Sequence, residues 1–486
     1  MSMIRVEHLT FSYPGSFDEI FSDVSFTFDT DWKLGFVGRN GRGKTTFLQL
    51  LMGCYEYEGS IASSVEFDYF PFPVKEQSRL VSDVLSEICP NAKEWEFLRE
   101  FSYLEVDPDV LYRSFETLSG GEQTKVLLLA LFLNEGRFLL IDEPTNHLDA
   151  KAREVLAEYL HKKKGFLLVS HDRRFLDRCV DHILSLNRAD ISVERGNFSS
   201  WMERFSRQQE SELFMQERLK KDISRLKQSA RRTGIWSDKV EASKIGAADK
   251  GYVGHKSAKM MKRAKSIELR QQRAAEQKSK LLKNFETAEA LKLFPVSYHA
   301  KTLAVFSEVS VCYDGKAVCG PVSFTVAQGE RIALDGRNGS GKSSLLKLLL
   351  GREVLHTGSV SIGFNLLISY VPQDASYLRG NLSDFADAHG LNESLFKAVL
   401  RKLDFGREQF EKDMGAFSGG QKKKVLLAKS LCEKAHLYVW DEPFNYIDVY
   451  SRMQIEELIC EYEPTMVFVE HDLAFREAVG TRVIEV

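Results

Sequence analysis

The feature that most constrains this chain is a short signature that occurs twice. "GRNGRGKT" runs from Gly38 to Thr45 and "GRNGSGKS" from Gly336 to Ser343. Both fit G-x-x-x-x-G-K-[ST], a glycine-rich loop that wraps phosphate groups between a strand and a helix. Lys342 follows Lys44 by 298 residues. "LSGGEQ" from Leu118 and "FSGGQK" from Phe417 lie 299 apart, as do "FLLIDEPTNHLD", ending at Asp149, and "LYVWDEPFNYID", ending at Asp448. "SHD" around His171 and "EHD" around His471 lie 300 apart. Four motifs in one order at almost constant spacing identify a duplicated domain. At 486 residues the chain is too long for a single core.

The copies are placed at 1–198 and 298–486. Each opens on alternating apolar residues, "VSFTFDT" and "VSFTVAQGE", which read as strands. Each loop lies between a strand, "KLGFVG" or "RIALDG", and a helix expected to begin at its Lys. The predicted class is therefore α/β. In the first loop Gly38, Arg39, Asn40, Gly41, Arg42 and Gly43 are expected to turn backbone N–H groups toward phosphates. Gly336, Arg337, Asn338, Gly339, Ser340 and Gly341 do so in the second. The helix adds its positive N-terminal end. Lys44 and Lys342 neutralise the β/γ-phosphates of ATP. Thr45 and Ser343, with Thr46 and Ser344 beside them, offer hydroxyls, the first of each pair to Mg²⁺.

The apolar runs "FLLI" and "LYVW" deliver Asp142 and Asp441 to the metal, and Glu143 and Glu442 follow as candidate bases for an attacking water. Two carboxylates at a strand end could also act as local caps, but that reading does not explain their presence in both copies. His171 and His471 are candidates to sense the γ-phosphate. Isolated histidines are more often structural, and the repeated H-D context favours the functional reading. Tyr13 and Tyr313 precede their loops by 25 and 23 residues. Each is either a core residue or an adenine-stacking ring, and position favours stacking.

P-loop, "SGG", D-E-P and a late H-D form the motif order of ABC-type ATPase domains, which this chain resembles across both copies. The resemblance implies that the "SGG" loop of one domain covers the ATP of the other. Ser119, Gly120 and Gly121 would then face the second P-loop, and Ser418, Gly419 and Gly420 the first. It also implies that Gln373, in "YVPQ", senses the metal and water. The first copy departs here: "YFPF" puts Phe72 in that place, so its site is expected to hydrolyse poorly. The second copy departs in "FNYID" and in Glu470, which stands where the first has Ser170.

Between the copies the composition changes. Residues 201–290 hold 22 Lys and Arg against 12 Asp and Glu, in a chain of net charge −3. A basic middle between acidic ends points to a polyanionic partner. Leu219, Ile223, Leu226 and Ala230 step at helical spacing, as do Met260, Ala264 and Ile267, and Ala274, Leu281 and Phe285 continue the seam. This predicts an antiparallel helical hairpin over 199–297 that reverses near 246–255, where Gly246, Gly251 and Gly254 interrupt it. Its first arm would extend roughly 70 Å at about 1.5 Å per residue. A plain coiled-coil spacer is the blander reading, but spacers do not usually concentrate basic charge beside their tip. Trp236, Lys244, Tyr252, His255, Lys256, Lys259, Lys262, Arg263 and Lys265 suit RNA: cations for phosphates, flat rings for bases.

Two ATPase copies with a long basic linker, a "DEPTNHLD" string and only 75 and 76 residues from P-loop Lys to "SGG" Ser resemble the ABC-F family. "KGYVGHKSAKMMKRAK" and "YFPFP" are similar to its Lsa/Vga group. That resemblance implies an ATP-dependent protein of the bacterial ribosome, entering the E site beside the P-site tRNA. Its tip would displace drugs, lincosamides, pleuromutilins or streptogramin A, from the rRNA of the peptidyl transferase centre. A drug-independent ABC-F translation factor is the alternative within the family, and the ATPase subunit of a membrane exporter the alternative outside it. No apolar run approaches the ~20 residues that span a bilayer. Seven scattered cysteines without a CxxC pair read as reduced thiols. No signal peptide is apparent. A cytoplasmic monomer, with the ATPase sandwich formed within one chain, is expected.

Overall fold

In the structure, a computed structural model, residues 2–14, 19–134, 136–146, 148–186, 191–208, 291–313 and 316–486 are described, with single positions between 210 and 273. The chain divides into two compact units. The larger comprises Met1–Leu186, Ile191–Ser199 and Ala288–Val486, and therefore holds both ATPase copies. The smaller comprises Asn187–Asp190 and Ser200–Thr287.

The first copy begins with an antiparallel sheet in which β1 (Met3–Ser12) lies between β2 (Glu19–Asp29) and β4 (Glu58–Ala62). Its central sheet has β3 (Lys33–Gly38), β5 (Glu66–Phe70), β6 (Arg137–Asp142), β7 (Phe166–Val169), β8 (His182–Leu186) and β9 (Ile191–Arg195), in the order β5-β6-β7-β3-β8-β9. All neighbours are parallel except β8 and β9. A parallel sheet is covered on both faces, which is why β7, "FLLV", is apolar and buried throughout. The helices are α1 (Lys44–Leu51), α2 (Val81–Ile88), α3 (Glu94–Tyr103), α4 (Gly120–Leu133), α5 (Ala150–Lys162) and α6 (Arg173–Cys179).

The order β6-β7-β3 matters for function. These adjacent strands end in Asp142, Val169 and Gly38, so the D-E pair, the S-H-D segment and the phosphate loop emerge side by side at the carboxyl edge, where ligands of such sheets bind. The second copy repeats the plan. Thr302–Tyr313 lies between Val322–Ala327 and His356–Ile362, and a parallel sheet runs Ile368–Val371, Leu437–Asp441, Met466–Val469, Arg331–Asp335, Arg482–Glu485.

In the smaller unit residues 201–208 are helical, as is every described position within 210–228 and 259–273. Those later positions, Lys259, Lys262 and Lys265 among them, are exposed. The expected apolar seam, the turn at 246–255, and Trp236, Lys244, Tyr252, His255, Lys256 and Arg263 lie outside the described residues.

Candidate active site

Both phosphate loops have the expected form. Helix α1 starts at Lys44 behind Gly43, whose φ of 97° is left-handed; Gly341 stands at 93° before the matching helix Lys342–Leu349. A Cβ on Gly43 would come within 2.4 Å of the Ile20 side chain, so glycine is required there. Lys44 Nζ donates to the carbonyls of Gly38 (2.7 Å) and Arg39 (3.1 Å), and Lys342 Nζ to those of Gly336 and Arg337, both at 2.7 Å. Thr45 Oγ1 donates to Asp142 Oδ2 at 3.0 Å and Ser343 Oγ to Asp441 Oδ1 at 3.2 Å. A hydroxyl and a carboxylate thus converge in each copy. They are hard oxygen donors of the kind Mg²⁺ takes together with nucleotide phosphates, so the residues fit that ion.

The two copies meet at these loops. Asn40 Nδ2 donates to the Tyr446 carbonyl at 2.7 Å, the Arg39 guanidinium lies 5.7 Å from the Tyr450 ring centre, and Arg173 pairs with Glu456. A cavity of about 500 Å³ results. On one side it is lined by Tyr13, Asn40, Lys44, Asp142, Glu143 and His171, and on the other by Ser418, Gly419 and Gly420 of the second copy. The "SGG" loop of one copy therefore stands opposite the P-loop of the other. A family model described as ABC transporter matches residues 21–146 and 319–445, more than half of the chain. The chain belongs to the ABC transporter family. Domains of this family bind and hydrolyse ATP, and this chain is an ATPase.

Among full-length relatives, the ribosome protection protein VmlR of Bacillus subtilis is 28% identical, over 96% of this chain and 84% of its own. The energy-dependent translational throttle protein EttA of Haemophilus influenzae is 26% identical, over 96% of this chain and 89% of its own. The fold resembles an archaeal ribosome recycling factor, aABCE1, solved with the stalk protein aP1, at a TM-score of 0.64 and 19% identity, covering 98% of this chain and 87% of that one. The two relatives support the F branch of the ABC family, and the solved structure shows the fold alone. Among the described residues no helix is long and apolar enough to cross a membrane.

The second ABC site differs from the first. Its cavity, about 490 Å³, is lined by Tyr313, Asn338, Lys342, Gln373, Glu442 and His471 among others. Leu148 and Arg153 form its wall from the first copy, and Ser119, Gly120 and Gly121 are not in the lining. Gln373 reaches this cavity. Its counterpart Phe72 instead lines a separate groove of about 980 Å³, away from the phosphate loop and the D-E-P and S-H-D segments. The tyrosines stand at equivalent places, with Tyr13 Oη 2.8 Å from Thr46 Oγ1 and Tyr313 Oη 2.8 Å from Ser344 Oγ, and each lines its cavity. Arg42 is not part of the first lining.

Electrostatics separate the two glutamates further. Burial, then the Asp142 charge, push the Glu143 carboxyl up to about 8 against the pull of Arg452 and Lys44. His171 Nε2 is 3.4 Å from Glu143 Oε1, and burial, then Lys44 and Arg452, hold the imidazole well below its ordinary value. Both shifts favour the uncharged forms, and Glu143 Oε1 accepts no hydrogen bond among the described residues. Burial would raise Glu442 too. There, however, His471, Gln373 and Asn445 face the carboxylate and bring it down to about 2. Asn445 Nδ2 donates to Glu442 Oε2 at 2.7 Å. Both glutamates have left-handed backbone, φ 51° and 45°, at a cost of about 1–2 kcal/mol each. Bonds from their N–H groups to the carbonyls of Val169 and Val469, both 2.9 Å, hold that turn.

Sequence reasoning passed over several residues. Tyr69 Oη donates to Asp142 Oδ2 at 3.1 Å, a contact from β5 that no motif announces. Lys424 pairs with the fully buried Asp448 at 3.2 Å and lines the first cavity. Arg153 bonds Asp172 at 3.0 Å and the Leu148 carbonyl at 3.1 Å; Arg452 does the same with Asp472 at 3.3 Å and Ile447 at 2.9 Å. These two arginines stand 299 apart, so the repeat itself held the signal.

Proposed function

We propose that this protein is an ABC-F ATPase of the bacterial ribosome that protects it from drugs of the peptidyl transferase centre. ATP binding closes the two halves, and hydrolysis reopens them for release. The domain limits are 1–198, 199–297 and 298–486, the middle segment being the helical hairpin that enters the E site beside the P-site tRNA. The observation that carries the reading is the first cavity, where Ser418, Gly419 and Gly420 face Lys44 across the junction of the copies. Nucleotide bound there would touch both halves and so favour the closed state, a population shift set by differential affinity. The net basic charge of residues 201–290 and the similarity, over 96% of this chain, to a ribosome protection protein support the polyanionic partner.

In each site the P-loop N–H groups and Lys44 or Lys342 bind phosphate, and at the first site Ser418 and the helix N-terminus behind it add donors across the junction. Thr45 with Asp142, and Ser343 with Asp441 and Gln373, would hold Mg²⁺, which supplies charge neutralisation and orientation of phosphate oxygens. Glu442, ionised and held by Asn445, is placed to accept a proton from water. Burial and the Asp142 charge favour the protonated form of Glu143, which makes it the poorer base. Because Gln373 lines the second cavity and Phe72 does not line the first, the second site is read as the hydrolytic one.

The similarity to a translational throttle protein favours, as second reading, a translation factor that acts without drugs. Two measurements separate these readings from each other and from an exporter subunit. Co-sedimentation of the Glu143→Gln/Glu442→Gln double variant with ribosomes in ATP is expected, and its absence sinks both ribosomal readings. Expression in a susceptible bacterium is expected to raise the inhibitory concentration of a lincosamide or pleuromutilin. Unchanged susceptibility with retained ribosome binding selects the translation factor.

A further inference from the structure

Three buried residues of the second copy replace three hydroxyl residues of the first at matching positions. Thr124, Thr145 and Ser170 become Lys423, Phe444 and Glu470. In the first copy Thr145 Oγ1 lies 3.4 Å from Ser170 Oγ, and the Asp172 N–H donates to Ser170 Oγ at 3.2 Å. In the second a lysine and a glutamate stand at two of these positions. Lys423 is only 3% exposed. Its ammonium donates to the carbonyls of Pro372 (2.8 Å) and Glu442 (3.0 Å), with the Asp441 carbonyl at 3.5 Å. One side chain thus spans the segment that presents Gln373 and the strand end that presents both carboxylates.

Glu470 is buried as well, and accepts from the N–H groups of Phe444 (3.0 Å) and His471 (2.7 Å). Its charge acts favourably on Lys423. A buried charge of either sign is costly alone and tolerable when balanced, and Glu470 is itself drawn on chiefly by Arg452 and His471. A threonine side chain is too short to bridge two backbone segments as Lys423 does. In the first copy Thr124 stands at that position, and Phe72 faces the separate groove.

We propose that Lys423 is a positioning residue for hydrolysis at the second site, a clamp that holds Gln373 against Glu442. This rests on the reading of the second site as hydrolytic. Turnover is measured in a Glu143→Gln background, with ATP binding in EDTA and the melting temperature followed in parallel. Lys423→Thr is expected to lower kcat by about tenfold to a hundredfold, as small misplacements of reacting groups do. KM and binding in EDTA should stay within about threefold, since the phosphate loop is untouched. Lys423→Arg, which keeps a cation, should recover part of kcat.

Lys423→Thr can also fail by stranding the Glu470 charge. Lys423→Thr/Glu470→Ser, the first copy's own pair, removes that cause. It should restore the melting temperature and leave kcat low. A double variant with wild-type kcat would overturn the clamp, as would a parallel loss of binding in EDTA. Glu442→Gln in the same background separates the two ideas. If it abolishes turnover while Lys423→Thr does not, the clamp alone falls. If it leaves turnover unchanged, the hydrolytic reading falls and the clamp with it.

Discussion

Glu143 and Glu442 occupy equivalent places after equivalent strands, yet their surroundings drive their protons in opposite directions. The Glu143 carboxyl holds its proton more tightly in the fold than in the unfolded chain. Ionising it therefore costs stability as pH rises from 4.5 toward about 8. Glu442, brought down to about 2, contributes stability that is present above 4.5 and lost as pH falls toward that value. In nucleotide-free protein at pH 8, Glu143→Gln should raise the melting temperature and Glu442→Gln should lower it. The Glu143→Gln difference should vanish on acidification to pH 4.5; melting curves at the two pH values check both signs. Catalysis should divide the same way, with Glu442→Gln slowing steady-state turnover more than Glu143→Gln. Equal losses would show that something compensates Phe72, and the Tyr69 hydroxyl on Asp142 is the group placed to do it.

At the scale of elements, each D-E-P segment is fastened to the S-H-D or E-H-D segment by an arginine from the following helix. Arg452 lies within Val449–Tyr462, is 8% exposed, and bonds Asp472 and the carbonyls of Ile447 and Phe444. Removing one partner of a buried ion pair leaves a stranded charge and typically costs about 3–5 kcal/mol. Arg452→Met should lower the denaturant midpoint by a corresponding amount. Because Arg452 also draws on Glu143 across the junction, the same change should raise the Glu143 pKa further. The phosphate loops are equally exacting. Gly43→Ala combines a left-handed φ with a Cβ 2.4 Å from Ile20, so it should abolish ATP binding at the first site, read by nucleotide titration of a variant whose second site is disabled by Lys342→Ala.

For the whole molecule, the contacts that join the two copies come from the loops and helices around the cavities, with Arg173–Glu456 and Arg174–Glu477 at the flank. These contacts are made by the two copies themselves, so closure is expected to survive changes at 246–255. Shortening that stretch, or Tyr252→Ala, should leave ATPase activity and ribosome binding within about twofold and sharply reduce drug protection. Removing Lys259, Lys262 and Lys265 together should instead weaken ribosome binding and flatten its dependence on salt, because each phosphate contact releases counterions. Resistance that survives loss of the loop would sink the protective reading. Loss of hydrolysis on the same change would make the segment a coupling element instead.

The duplication, the class of fold and the residues that meet phosphate were legible in the sequence, because they are local. A P-loop is a run of consecutive backbone N–H groups behind a glycine of fixed hand, and the D-E pair ends one strand, so both survive in a linear reading. Even the departures at Phe72 and Glu470 could be seen by comparing one copy with the other. What they do could not. Whether Phe72 turns away into another groove, and how Glu470 is balanced, depends on neighbours far along the chain. So does the proton on Glu143, which is set by burial and by Arg452 from the other copy. The Lys423 bridge joins Pro372 to Glu442 across segments separated by tens of residues. Motifs record which groups are present. Burial and the charges that surround a group are properties of packing, and packing decides which of two nearly identical sites holds an ionised glutamate.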